Sequence, residues 1–430
     1  MKKVIVNIKV AFAIFIFLMG WFDAKSQVKQ YLPAWEKGML DIHFISNGVG
    51  NCAFYILPDG TTMLVDAGEE NPTTARVNSP RNTPRYPNYS KLGYEWHVDY
   101  INQQLKLLKQ DYIDYALISH FHEDHFGGMY SGIPKSLNGN YYLSGITGVG
   151  DKIKIKKLID RGFLYPYNIL TDTLINPTIK NYYNFIAAQK VNNNLIHESL
   201  IVGANDQLVL TKNTGEFNNF YIRNINANGV VWSGKNDMST FTKMPGVASI
   251  KNRRDSPSEN SLSCGIAINY GKFKFYTGGD IPGKQPDFMN APEWLDVESL
   301  VAPIIGETDV ITSNHHANRD AMTVDYLSFL KPRIIIQEVW SSDHPGHETL
   351  LRMTSKNIWP SERDLFSTNM LSANKLVIGE LIENSYKNTQ GHIVIRVLAP
   401  GDKYYVYILN NLSVDRNVTN VFGPYFSKIK

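Results

Sequence analysis

Ser119-His120-Phe121-His122-Glu123-Asp124-His125-Phe126-Gly127-Gly128 is the stretch that decides the fold. Four side chains able to ligate a metal, His120, His122, Asp124 and His125, fall within six residues. They follow the apolar, strand-like run Tyr115-Ala116-Leu117-Ile118. A strand that stops abruptly in a loop holds its imidazoles in fixed directions. Neutral imidazole and carboxylate are the donors that zinc and similar divalent ions prefer. A polar surface turn that merely happens to be rich in histidine does not account for this spacing.

Upstream of the loop, Ile42, Phe44 and Ile45 predict a first strand, and Asn47-Gly48-Val49-Gly50-Asn51 a glycine loop. Cys52 to Leu57 predicts a second strand, and Pro58-Asp59-Gly60 a turn. Met63-Leu64-Val65 leads into Asp66-Ala67-Gly68. Residues 69–95 carry Pro72, Pro80, Pro84 and Pro87 with Arg76, Arg81 and Arg85. Such a long basic loop is of the kind that is functional or mobile. From Trp96 onward, Val98, Ile101, Leu105 and Leu108 recur at helical spacing.

Downstream, residues 153–159 and 178–191 predict helices. Leu208-Val209-Leu210, Phe220-Tyr221-Ile222 and Val230-Val231-Trp232 predict short strands. The stretch 129–250 has no chemical motif of its own. It reads either as an insertion that caps the site or as an ordinary structural excursion. Beyond it, Ile266 to Tyr270 and Phe273 to Tyr276 predict a hairpin around Gly271-Lys272 that ends at Thr277-Gly278-Gly279-Asp280. Ile334-Ile335-Ile336 predicts a further strand, and a last hairpin spans residues 392–409 around Pro400-Gly401-Asp402.

In this order the pieces resemble the metallo-β-lactamase-fold hydrolases. Asp66 in Leu64-Val65-Asp66-Ala67-Gly68 matches the family's first, non-ligating aspartate. His120-Phe121-His122-Glu123-Asp124-His125 matches its HxHxDH signature. Asp280 matches its metal-bridging aspartate, and Asn314-His315-His316 the position of its last metal-binding histidine. The resemblance covers most of the chain outside 129–250. Within that superfamily, the His315-His316 pair, the run His344-Pro345-Gly346-His347-Glu348-Thr349-Leu350 and the segment Asn260-Ser261-Leu262-Ser263 resemble one branch. It contains the competence-protein hydrolase domains and the phosphorylcholine esterases. The resemblance implies an α/β fold of α+β type: a four-layer αββα sandwich of two mixed sheets with helices outside.

The residues themselves support the chemistry. His120 and His122 can hold one ion, and Asp124 and His125 a second. Asp280 can bridge them, and His316 or His315 can close the second site. Two divalent ions, zinc first and manganese or iron as alternatives, can share a hydroxide formed at neutral pH. Asp66 would orient the ligand loop from behind. His344 is a candidate for substrate contact or proton donation, against a helix-start role for its neighbours. Asp124, Asp66 and His344 are thus the candidate catalytic residues. One departure stands out: where many family members have a histidine, this chain has Glu259-Asn260-Ser261. Water, Glu259 or His197 would have to complete that shell, with His197 by default a structural surface residue. His43, His97 and His392 read as packed or surface histidines. Arg253, Arg254 and Arg319 are possible contacts for an anionic substrate.

The remaining features bound the function. A chain of 430 residues, 43% hydrophobic and 19% charged, is globular rather than disordered. A net charge of +3 leaves no footprint of a dedicated nucleic-acid binder. Met1-Lys2-Lys3, the apolar run from Val10 to Phe17 and Ala24-Lys25-Ser26 predict a signal peptide over residues 1–26, cleaved after Ser26. Residues 27–430 would then be one exported hydrolase domain, periplasmic or secreted, with no membrane span. Cys52 and Cys264 sit in strand-like runs and read as buried free thiols. The expected activity is cleavage of a phosphodiester or related phosphoester, on a small-molecule or cell-envelope anionic substrate. The alternatives are hydrolysis of a lactone, β-lactam or thioester, or non-catalytic binding of metal or ligand.

Overall fold

Alternating β-branched and aromatic residues, punctuated by glycine turns, build two large sheets in the computed structural model. It describes residues 30–428 except 49, 76, 163–175, 214, 236–238, 247–248, 250–256 and 286–290. Leu32–Lys430 forms one compact unit; of the other, Met1–Tyr31, only residues 30 and 31 are described. The expected signal peptide and Arg253 and Arg254 lie outside the described residues. Among those described, no helix is long and apolar enough to cross a membrane.

The first sheet contains β1 (Leu40–Phe44), β2 (Cys52–Ile56), β3 (Thr62–Ala67), β4 (Tyr112–Leu117), β5 (Lys154–Asp160) and β6 (Ile196–Ser199). It also takes the last three strands, β16 (His392–Leu398), β17 (Lys403–Leu409) and β18 (Val418–Phe426). The second contains β7 (Phe220–Ala227), β8 (Val230–Trp232), β9 (Thr240–Thr242), β10 (Gly265–Tyr270) and β11 (Phe273–Thr277). Its remaining strands are β12 (Val310–Thr312), β13 (Ile334–Gln337), β14 (Asp364–Ser367) and β15 (Tyr386–Asn388). The strand orders are β18-β17-β16-β1-β2-β3-β4-β5-β6 and β15-β14-β13-β12-β11-β10-β7-β8-β9. Each sheet is mixed: β3 to β6 run parallel, as do β11 to β15, and the other pairs are antiparallel.

The helices are α1 (Gly93–Leu107), α2 (Glu123–Phe126), α3 (Gly145–Lys152), α4 (Pro177–Asn193), α5 (Glu298–Ile305), α6 (Val324–Leu330), α7 (His347–Thr354), α8 (Ser372–Ile378) and α9 (Glu380–Ser385). Three cores define the layers. Phe44, Tyr55 and Val65 of the first sheet pack with Ile268, Phe275 and Ile336 of the second. The outer face of the first sheet packs on Tyr100, Ile101, Val149 and Phe185 from α1, α3 and α4. The outer face of the second packs on Val301, Leu327 and Met353 from α5, α6 and α7. β1, β2 and β13 are covered on both faces and buried throughout; β2 reads as the continuous apolar run this favours, while β1 buries Asp41 against Arg396 and His43 against Tyr100. The expected four-layer α/β sandwich is therefore present.

The stretch 129–250 runs through both layers. It supplies β5 and β6 to the first sheet and β7, β8 and β9 to the second, joining the two halves of the sandwich. Its described residues thus build sheet in both layers. Residues 153–159, expected to be helical, form most of β5. Ile153, Ile155 and Leu158 are buried while Lys154 and Lys156 are exposed, and pairing to β4 decided between the two periods. Leu208 and Leu210, expected in a strand, instead plug the space between the sheets from a loop. Residues 178–191 lie within α4 as expected.

Both cysteines are free and buried. His43 and His392 are packed, one against the Tyr100 hydroxyl at 2.9 Å and the other accepting the Ser46 N–H at 2.9 Å. Glu69, unremarked in the sequence, is buried and accepts N–H groups from Gly93, Tyr94 and Gly145 at 2.9, 3.0 and 3.1 Å. One carboxylate thus caps the first turns of both α1 and α3 and pins them beside the ligand loop.

Candidate metal centre

The carboxyl ends of the parallel strands face a common cleft, where ligands collect in α/β sheets. Asp66 closes β3, His120 follows β4, Asp280 follows β11, His316 follows β12 and Trp340 follows β13. Close backbone approach makes the arrangement possible. A Cβ on Gly68 would lie 1.8 Å from the Asp124 carbonyl oxygen, so only glycine fits. Gly279, at φ +62°, packs so closely that an added Cβ would lie 2.9 Å from the Ser119 Cβ, and Asp280 after it donates its N–H to the Ser263 hydroxyl at 3.2 Å.

Two groups of donors meet there. Asp124, His125, Asp280 and His316 form one, all buried; His120, His122 and Asp280 form the other, with His122 exposed. Within each, the donor atoms lie within 4.8 Å of one another. This is the division expected from the sequence, with Asp280 common to both.

The imidazoles are held from behind. Asp66 Oδ2 accepts from His125 Nδ1 at 2.8 Å and from the Ser119 hydroxyl at 2.7 Å, and Asp66 Oδ1 accepts the Ser119 N–H. With its hydrogen given to Asp66, the Ser119 oxygen can only accept from His120 Nδ1, 3.1 Å away. His316 Nδ1 faces the Glu338 carbonyl at 3.1 Å, which likewise can only accept. In the neutral form that a metal ligand takes, all three rings therefore carry their hydrogen on Nδ1 and turn the Nε2 lone pair into the cleft. His125 Nε2 is buried without a hydrogen-bond partner, 3.3 Å from Asp280 and 3.6 Å from Asp124. His316 Nε2 lies 3.1 Å from Asp124 and 3.4 Å from Asp280. Lone pairs aimed at carboxylates need a cation between them. The donor set therefore fits a divalent ion of the zinc type.

The electrostatics show the same demand. Burial works against a charged His316, yet the Asp280 and Asp124 carboxylates overcome it and push the ring up to about 10. His125 is driven up by the same carboxylates against burial, and Asp280 is held far below the usual carboxylate range by the two imidazoles despite its own burial. His120 goes the other way: burial, then the neighbouring His125, keeps it neutral.

His315 and His316, indistinguishable by sequence, are separated by the backbone. Both, with Ala317, adopt left-handed conformations, at φ 45°, 52° and 61°. Three such residues in succession store strain, as turns at functional sites do. The turn sends His316 into the buried group and His315 to Asp320, 2.6 Å from its Nδ1, with Asn260 3.1 Å from its Nε2. His315 lines the cleft without joining either donor group.

Neither candidate for the missing shell joins it. Glu259 is a bidentate partner of Arg161, at 2.7 Å to both nitrogens, and accepts the Phe121 N–H at 2.8 Å. It braces the ligand loop instead of ligating. His197 sits in β6, 2.8 Å from Asp160, and belongs to neither group. His344 is buried in the cleft wall, stacked on His316 at 4.4 Å. Sequence reasoning missed Trp340, whose indole N–H donates to Asp124 Oδ2 at 3.1 Å. Its position just beyond a buried strand was the only signal.

The cleft encloses about 500 Å³. Glu70, Glu123 and Asp343 join the donors in its wall, and no lysine or arginine is among its described lining residues. Arg319, an expected substrate contact, is 71% exposed beside Glu348.

Residues 46–131 match the metallo-beta-lactamase superfamily. No curated protein matches the chain. Among solved structures the chain is similar to the metallo-beta-lactamase fold protein YhfI from Bacillus subtilis, at 10% identity and TM-score 0.32, over 83% of this chain and 98% of that one. It is similar to Zn(2+)-bound PqqB from Methylobacterium extorquens at 9% identity and TM-score 0.34, over 83% and 99%. A CmlA beta-hydroxylase mutant matches at 10% identity and TM-score 0.36 over 85% of this chain, which spans 55% of that protein's length.

Proposed function

We propose that this chain, which carries a metallo-beta-lactamase superfamily domain, is a hydrolase using two divalent ions to cleave a phosphodiester or related phosphoester. The observation that carries the reading is the convergence of three bare Nε2 atoms on two carboxylates, each ring locked through its Nδ1. When bound, such ions supply a nucleophile from water at neutral pH and neutralise charge building on the oxygen of the attacked group. The chain's own part is positioning. His120 and His122 would hold one ion and Asp124, His125 and His316 the other, with Asp280 between them. Asp66 and Ser119 fix the tautomers, and Trp340 fixes the carboxylate of Asp124. His344 lies flat on His316 and faces the space where substrate would sit. Nitrogen and oxygen donors in this mixture suit zinc, with manganese or iron as alternatives.

The second reading, hydrolysis of a lactone, β-lactam or thioester, draws support from the cleft wall. Three carboxylates and no described cationic side chain suit an uncharged electrophile, so an anionic substrate would depend on the ions alone for its attraction. Metal analysis of the purified protein, with parallel assays on a chromogenic phosphodiester, phosphomonoester, lactone and β-lactam, decides. Fastest turnover of the phosphodiester is expected. A faster lactone or β-lactam moves the assignment to the second reading. Bound metal with no turnover makes the protein a binder, and no metal after reconstitution removes both hydrolase readings.

We also propose export, with a small-molecule or cell-envelope substrate, on the strength of the first 26 residues. N-terminal sequencing of native material should begin at Gln27; an intact Met1 in a cytoplasmic fraction contradicts export.

A further inference from the structure

Beside the metal cleft lies a second, smaller space. The glycine loop after β1, the long loop before α1 and the first turns of α1 enclose a cavity of about 60 Å³. By that measure it has room for roughly four water molecules. It backs onto the segment that carries Asp124, since a Cβ on Gly50, in its wall, would lie 2.9 Å from the Asp124 carbonyl.

Its lining is unusual in what it leaves unpaired. Asn47, Thr83 and His97 are 4%, 3% and 3% exposed. Both amide atoms of Asn47, the Thr83 hydroxyl and His97 Nδ1 have no hydrogen-bond partner in the protein. A buried polar group without a partner costs more than an ordinary hydrogen bond contributes, so such groups are normally satisfied. Here three residues that line one small cavity carry four such atoms.

The charges around them select the partner. Glu69 and Glu70 line the cavity together with Arg85. Two carboxylates against one guanidinium disfavour an anion. Glu69 is already taken by three N–H groups, and Arg85 repels a cation. Burial, with Arg85 nearby, takes His97 down to about 4, so the ring is neutral. The free groups are uncharged and include both donors and acceptors. The cavity is also reachable: Tyr89 in its wall is 72% exposed, and Asn78 is exposed too. Waters in it would exchange, and a solute could displace them.

We propose that this cavity binds a small uncharged group that both donates and accepts hydrogen bonds, such as a carboxamide or a hydroxyl. Glu70 borders both this cavity and the metal cleft. The natural carrier is therefore a molecule that also reaches the cleft; that link alone rests on the hydrolase reading. The pocket itself is tested on metal-free and metal-loaded protein alike. Crystals are soaked in acetamide and, separately, in formate, and acetamide affinity is followed by NMR titration. The expected result is acetamide hydrogen-bonded to Asn47, Thr83 and His97 with or without metal. Thr83→Val, close in shape, should weaken acetamide about 10-fold, while Thr83→Ser retains it. Ordered water alone in the soaked cavity, formate seated on Arg85 instead, or a Thr83→Val protein that binds acetamide normally would each overturn the proposal.

Discussion

The two groups of donors that share Asp280 are built differently. Asp124, His125 and His316 are buried, and every one is tied from behind: to Trp340, to Asp66 and to the Glu338 carbonyl. The group of His120 and His122 has only one imidazole anchored in this way, through Ser119, and its other imidazole is exposed. Glu259, a candidate for a further ligand, is instead paired with Arg161. One half of the centre is thus pre-organised and closed, as a permanently held ion requires. The other keeps an open side, as a position that must admit water or substrate requires. The difference teaches that the loop of the open group is braced by the Glu259–Arg161 ion pair, while the closed group is braced through its own ligands.

The largest effect should come from the residue the groups share. Asp280→Ala removes the carboxylate common to both donor groups, so the protein should lose ions from both and turnover should fall by orders of magnitude, read by elemental analysis and rate together. Retention of two ions would break the comparison at its centre. Next in size is His122→Ala, which should remove the ion of the open group only, leaving about one per chain. Smaller still is Trp340→Phe, which leaves the ligands in place but frees the Asp124 carboxylate. It should weaken the tighter site about 10- to 100-fold, measured by competition with a chelator, and leave the weaker one alone. The smallest effect on metal is expected from Glu259→Gln, where stoichiometry should hold while the fold loses about 3 kcal/mol in a denaturant titration, because the Arg161 guanidinium is buried and loses its counter-charge. Loss of an ion in that variant would make Glu259 a ligand after all.

The same contrast explains what could be read in the sequence. The ligand loop is contiguous, so His120, His122, Asp124 and His125 announce themselves. Asp280 and the His315-His316 pair come from the order of motifs in the resemblance, each behind a strand-like run. The choice of His316 over His315 rests on a left-handed turn that no local pattern specifies. The supports are contacts between distant segments: Trp340 and Asp124 are 216 residues apart, and Arg161 and Glu259 are 98 apart. Pairing across sheets creates them, and periodicity carries no trace of it. Residues 153–159 were ambiguous for a related reason: a run of isoleucines and lysines suits either period until a neighbouring strand offers an edge.

Calorimetric titration of metal-free protein with zinc tests the central claim most directly. Two ions should bind per chain, in separate steps, the first to the closed group and at least about 10-fold tighter than the second. His122→Ala should abolish the second step and leave the first unchanged. A single step, two equal sites, or loss of the tighter step in His122→Ala would contradict the account.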